Sequence, residues 1–297
     1  MFAICGATGK VGQATIARLR ERGAHVRAIL RDGAKASQFR EAGCEVAIAD
    51  LQDPDAMARA FTGADAVQVI LPPPLAAEDA VGEMRRTVES VAAALDKAGP
   101  DRVLAVSDYG AHVEQWIGMP SAFRLFENRL GQLTSHKILL RSAEHMEGWG
   151  LVLPLALATG ALPSFHHPVD APFPTISARD LGAIATELLC AKDDGTADVR
   201  IVHAEGPRRY SANDVAAAVS EVSGRTVAAV EVPRSQWQET LTRVLSPSAT
   251  TLLIDLYDAH NRGGLVDIDR GVGEVRHGTT ELSDALRPLV ATHAAAG

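Results

Sequence analysis

The chain has 297 residues, 46% hydrophobic and 22% charged, with a formal net charge of −8. That length buries a full core without staples, and the composition is that of a folded globular protein rather than a fibrous or disordered one. The acidic balance comes with no basic run, which argues against nucleic acid, and with no stretch of about 18 apolar residues that could span a membrane.

In chain order, Phe2–Cys5 reads as a buried strand and 11–22 as a helix ended by Gly23. Strands follow at 25–30, 45–49, 66–70 and 102–106, with a long helix over 76–98. In that helix Val81, Met84, Val88, Val91 and Leu95 recur every three or four residues, which is one helical face. A further helical stripe collects Phe126, Leu130, Leu133, Lys137 and Leu140, and "LVLPL" (151–155) reads as a sixth strand. Strand–helix alternation predicts an α/β fold, a doubly wound parallel Rossmann sheet with helices on both faces. The second half is less regular. A helix over 178–191 and a strand over 199–204 are expected to complete that sheet. A helix over 212–223, a strand over 227–232 and further helices form a smaller C-terminal α/β lobe for the substrate. The division expected is 1–155 (sheet completed by 173–204) for the nucleotide and 205–297 for the lobe, with the Ala-rich C-terminus frayed. Cys5, Cys44 and Cys190 are odd in number and widely spaced, unlike disulfide or zinc frameworks. No export signal is recognisable at the start, so a cytoplasmic location without bound metal is expected.

The chemistry is concentrated near the start, in "ICGATGKVG". Gly6, Gly9 and Gly12 stand where a strand hands over to a helix, the context that makes such glycines a dinucleotide fingerprint. The loop and first turn, Gly6, Ala7, Thr8, Gly9, Lys10, Val11 and Gly12, are therefore candidates to cradle a pyrophosphate on a helix N-terminus. At the end of the second strand an acidic residue would bind the ribose 2′-hydroxyl of NAD, whereas an Arg would accommodate the 2′-phosphate of NADP. Here "ILRDG" offers Arg31 and then Asp32. Arg31 comes first off the strand, and an Asp before Gly33 suits a turn. NADP (NADPH) is the cofactor favoured over NAD.

The spacing G-x-x-G-x-x-G, together with Arg31, Ala34-Lys35, Asp50-Leu51, Asp53-Pro54 and Gly63-Ala64-Asp65, resembles the NmrA-like family of NAD(P)-binding proteins. This is an atypical branch of the short-chain dehydrogenase/reductase superfamily that includes quinone reductases. The resemblance continues more weakly through "ISARDLGAIATELL" and "YSANDVAAAVSEVSGRTV". It implies further cofactor contacts: Lys35 with Arg31, Asp50 and Leu51 by the adenine, and Ile70, Leu71 and Pro72 beside the ribose and pyrophosphate. Ser107 and Tyr109 would lie at the nicotinamide end.

Catalytic members of the wider superfamily carry Tyr-x-x-x-Lys, whose Tyr moves a proton as hydride moves. None of the five lysines here has Tyr four residues before it. "LTSHK" keeps the Lys and lacks the Tyr, as the resemblance implies, so Lys137 is a candidate for the nicotinamide ribose. Tyr109 and His112, just past the fifth strand, are substitute proton donors. Three functions follow. One is an NAD(P)H-dependent oxidoreductase passing hydride to a quinone-like or other conjugated small-molecule acceptor, which needs little acid assistance because the charge delocalises. The alternative is a non-catalytic NADP(H)-binding redox sensor acting through a protein partner or as a homodimer. A ketone or imine reductase using Tyr109 or His112 is a third. Leu71, Pro73, Tyr109, Phe123, Phe165, Trp237 and Tyr257 are candidates for the acceptor pocket.

Overall fold

The computed structural model describes residues 1–192 and 198–294; the Ala-rich end beyond them lies outside the described residues. The strands are β1 (Phe2–Cys5), β2 (Val26–Leu30), β3 (Glu45–Ile48), β4 (Ala66–Ile70), β5 (Arg102–Asp108), β6 (His136–Ser142), β7 (Glu144–His145), β8 (Ala161–Ser164), β9 (Thr175–Ile176), β10 (Val199–Glu205), β11 (Ala228–Glu231) and β12 (Glu274–His277). The helices are α1 (Lys10–Glu21), α2 (Ala36–Glu41), α3 (Pro54–Phe61), α4 (Ala80–Ala98), α5 (Met119–Leu130), α6 (Leu153–Thr159), α7 (Ala178–Cys190), α8 (Ala212–Ser223), α9 (Trp237–Thr242), α10 (Pro247–Arg262) and α11 (Leu282–Ala294).

Eight strands form one parallel sheet in the order β12-β10-β6-β5-β4-β1-β2-β3. The order reverses across β1 and β4, which is the topological switch point where such sheets bind ligands. One face of the sheet packs α1, α2 and α7 through Ile4, Leu19, Leu104 and Leu181. The other packs α3, α4 and α5 through Phe61, Val67, Val91 and Phe126. A third apolar cluster, around Trp149, Phe173, Tyr210 and Leu286, holds α6, α8 and α11 together with the β8–β11 pair. The segment after 205 is not wholly separate from the main sheet, because β12 returns as its edge strand beside β10. No helix among the described residues is long and apolar enough to cross a membrane.

Two expected elements are corrected. The helix expected to run through Lys137 stops at Leu130, and Lys137 lies on β6. The run "KILLRS" is buried on both faces as a central strand of a parallel sheet, so it carries no alternation that would separate it from a helix. The strand expected at 151–155 is instead the start of α6, with Pro154 in its first turn. Proline fits there because its missing N–H would be unpaired anyway, and Leu151 is 85% exposed, unlike a sheet residue.

Candidate active site

The glycine loop is held by close packing. The chain turns at Gly6 with φ +84°, and a Cβ there would stand 2.8 Å from Ile70 Cβ on β4. A Cβ on Gly12 would come within 2.2 Å of the Gly6 carbonyl oxygen. Only glycine lets α1 start this tightly against the loop. Gly9 is the N-cap of α1, with no side-chain cap and no acidic residue in the first turn. The Gln13 amide donates to the Gly9 carbonyl at 2.9 Å, which leaves the preceding amides of the first turn for a ligand. Free N–H groups at the positive end of a helix fit a pyrophosphate. The Cys5 thiol beneath the loop is pushed up to about 12 by burial, so it stays a thiol at neutral pH.

The strand ends beside the loop carry polar groups of two kinds. Asp32 is engaged in a turn, its carboxylate accepting the Ala34 amide at 2.9 Å. Asp50 likewise accepts the Gln52 amide at 2.8 Å, and Asp53 caps α3 through the Ala56 amide at 2.9 Å. Arg31 and Lys35 are exposed and make no ion pair or side-chain hydrogen bond with the described residues.

A cavity of about 1460 Å³ runs from this loop across the carboxyl ends of the strands and under α9 and α10. Gly6, Thr8, Gly9, Arg31, Lys35, Asp50, Leu51, Ile70, Leu71, Pro72 and Ser107 border one end of it. The other end is walled by Met119, Phe123, Phe165, Leu241, Leu256 and Tyr257. Phe165 and Tyr257 stack at 5.1 Å between centroids, 22° from parallel. Trp237 stands behind them, edge-on to Phe165 at 5.7 Å.

Between the two ends lie Asp108, Ser142, Glu144, His145 and His166. His166 Nε2 is 3.1 Å from Glu144 Oε2, and its ring stacks on Phe173 at 3.7 Å. Burial works to raise the Glu144 carboxyl, but the attraction of His166, His260 and His145 holds it below the usual range. The Asp108 carboxyl is pushed the other way, up to about 8, by burial and then by the negative charges of Glu144 and Glu127. His260 is driven down to about 3 by burial and by His166. Below Asp108, Ser107 Oγ donates to Glu127 at 2.6 Å, and Glu127 is paired with Arg141 at 2.8 Å in a fully buried bridge.

Residues 6–143 match the family described as NAD(P)H-binding. An NAD(P)H azoreductase of Xenophilus azovorans is 25% identical over 265 residues, spanning 84% of this chain and 83% of its own. The fold is shared with an NADPH-dependent quinone oxidoreductase of Escherichia coli, solved with NADPH, at a TM-score of 0.80 and 23% identity over 97% of this chain and 99% of that one. A triphenylmethane reductase of Citrobacter sp. matches at 0.79 and 20% identity, over 98% of this chain and 99% of its own. An NmrA structure matches at 0.69 and 18% identity, over 97% of this chain and 90% of its own. The NmrA-like resemblance read from the sequence agrees with these neighbours.

Within this NAD(P)H-binding frame, the remaining expected residues fall into two groups. Ala7 and Val11 turn into the core beneath the loop, Gly12 backs it, and Lys10 opens α1. The three candidates for catalysis do not reach the cavity. Lys137 sits at the start of β6, level with Val103 and Val199 at the amino edge of the sheet. Five strand steps at about 3.3 Å each place it about 16 Å from the cavity end of β6. There it is buried, and its Nζ donates to the Leu133 carbonyl at 2.9 Å. Tyr109 follows β5 but turns into the core, 0% exposed, edge-on to His203 at 5.8 Å between centroids. Burial, and then Glu205, raise its phenol. His112 lies past the turn at Gly110; burial lowers its imidazole, and its Nδ1 has no hydrogen-bond partner among the described residues.

The groups the sequence reading passed over are Asp108 and Glu144. Asp108 stands between Ser107 and Tyr109, both weighed, and Glu144 lies in a stretch whose strand was misplaced. His166 carries no motif that would single it out in the sequence. Its partner, twenty-two positions earlier, could not be read from spacing.

Proposed function

We propose that this protein is an NAD(P)H-dependent oxidoreductase, with NADPH preferred, that reduces a quinone-like or otherwise conjugated aromatic acceptor. The observation that carries the reading is the single cavity joining the anion-binding loop to the wall of Phe123, Phe165, Leu256 and Tyr257. When bound, the nicotinamide supplies a hydride. The chain does the rest by placement. The loop amides and the α1 N-terminus hold the pyrophosphate, Arg31 and Lys35 take the 2′-phosphate, and Asp50 and Leu51 flank the adenine. The aromatic wall orients a flat acceptor and excludes water, which is where most of the rate gain would arise when charge delocalises over the acceptor. In this reading 1–155 with 173–204 chiefly carries the cofactor, and 205–297 chiefly covers the acceptor. The names of the relatives, an azoreductase, a quinone oxidoreductase and a triphenylmethane reductase, support acceptors of this class.

The test is NADPH oxidation by purified protein against a panel of benzoquinones, naphthoquinones, azo dyes and triphenylmethane dyes. Saturable turnover with at least one class is expected. Micromolar NADPH binding without turnover across the whole panel would replace this reading with that of a redox sensor.

A further inference from the structure

Hydride transfer leaves the acceptor one proton short, and none of the residues first considered for that proton borders the cavity. The cavity does hold an unassigned acid. Asp108 is the last residue of β5, level with Ser142 on β6 and two residues short in register of Glu144. It is half-buried and borders the cavity between the Ser107 strand end and the aromatic wall. Its situation differs from that of the other carboxylates at these strand ends. Asp32, Asp50 and Asp53 are engaged by turn amides and are exposed, whereas the Asp108 carboxyl, although the Tyr109 amide acts on it, has burial and two negative charges working against its ionisation and makes no ion pair among the described residues. Glu144, which borders the same cavity, is tied to His166 at 3.1 Å and lies 3.9 Å from His260.

We propose that Asp108 is the proton donor of this site, and that Glu144, fixed by His166, is the neighbouring negative charge that tunes it. The proposal rests on the reductase reading above. The geometry gives two carboxyl groups opposite roles, as environments that separate paired acids do. Glu144 faces histidines and stays ionised. The negative charges of Glu144 on β7 and Glu127 on α5 act on Asp108, while Arg141, opposite Ser107 on β6, is already committed to Glu127 and Asp269. Burial and these charges push Asp108 up to about 8, so it carries its proton at neutral pH.

The step balances simply for a quinone. The hydride brings two electrons and one hydrogen. The oxygen that becomes negative takes the proton of the Asp108 carboxyl, whose O–H bond breaks as the product O–H bond forms. The carboxylate then regains a proton from water. The acceptor gains two electrons and two hydrogens in all. The value of a positioned acid grows with the basicity of the group it protonates, so dependence on Asp108 should differ among acceptors.

The experiment compares wild type, Asp108→Asn and Glu144→Gln. In the cofactor-free protein, infrared difference spectra should show one protonated carboxyl at pH 7 that titrates near pH 8, is absent from Asp108→Asn, and titrates at lower pH in Glu144→Gln. In turnover, Asp108→Asn should lose about 100-fold in kcat on an azo dye, where hydride addition leaves a strongly basic nitrogen anion, and no more than about tenfold on benzoquinone. Its NADPH affinity should hold within twofold, which also shows that it folds. The alkaline fall in kcat near pH 8 should vanish in Asp108→Asn. Equal losses on every acceptor, a persisting alkaline limb, or a missing protonated carboxyl would each overturn the donor role while leaving the reductase reading standing. A wild type that binds NADPH and reduces no acceptor overturns the reductase reading, and the donor role with it.

Discussion

Arg31 leaves β2 with no partner among the described residues, while the next residue, Asp32, is engaged in the turn that follows. The sequence presents the two side by side and so gives a mixed signal about the ribose. The structure separates them by giving Asp32 a local task. The exposed Arg31 guanidinium and Lys35 ammonium beyond the end of β2 suit a phosphate rather than a hydroxyl. A charge-assisted hydrogen bond of this kind contributes about 1.5–3 kcal/mol. Arg31→Ala should therefore weaken NADPH binding by about 10- to 100-fold and change NADH binding by less than about twofold. Isothermal calorimetry with both nucleotides decides it. Equal affinity of wild type for NADPH and NADH would remove the 2′-phosphate reading.

At the scale of the element, the glycine loop was legible because its constraint is local. A strand, a tight turn and a helix lie within a dozen residues, and the close approach of Gly12 to Gly6 needs nothing from the rest of the chain. β6 was not legible for the opposite reason. Phe126 and Leu130 belong to α5, and the apolar spacing continues past its end at Leu130 into a strand buried on both faces. Such a run fits either template. The error carried Lys137 into a helical stripe and so toward the ribose. In the fold it sits at the opposite edge of the sheet, with its amine on the Leu133 carbonyl. Asp108 and Glu144 were missed because their meaning depends on β5 and β7 meeting at one cavity, and His166 because its partner is distant in sequence. The placement of Lys137 makes a clear prediction. Lys137→Met keeps the apolar stem and gives up one neutral-acceptor hydrogen bond, about 1 kcal/mol of stability. NADPH affinity and kcat should stay within about twofold of wild type. A tenfold loss in either, measured on folded protein, would restore Lys137 to the site.

For the whole molecule, burial leaves several groups whose protonation differs between folded and unfolded chain. Burial lowers the imidazoles of His112, His145 and His203, and takes His260 down to about 3. Unfolding lets these histidines bind protons, so their contribution is present above about pH 6.5 and is lost as pH falls. Asp108 has the opposite sign. Its folded value, about 8, lies above its ordinary value of 3.8, so its stabilising contribution is complete below about pH 3.8 and is lost as pH rises toward 8. Below about pH 6.5 the histidines outnumber Asp108 and stability should rise with pH. Between about pH 6.5 and 8 Asp108 works against the last part of the histidine titration, while Cys5 and Tyr109, also raised, begin to count only near their ordinary values of 9.0 and 10.0. One pH unit in this window corresponds to about 1.4 kcal/mol for one proton. In urea unfolding of the cofactor-free protein Asp108 should therefore contribute a difference of about 1–2 kcal/mol between pH 6.5 and 8, against an opposite contribution of comparable size from the histidines. Asp108→Asn should remove most of that difference and be the more stable protein at pH 8, the behaviour of a group kept for its chemistry at a cost in folding. Parallel pH dependence of the two proteins would mean that Asp108 carries no proton in the folded state, and its place between loop and wall would then be that of an ordinary ionised carboxylate.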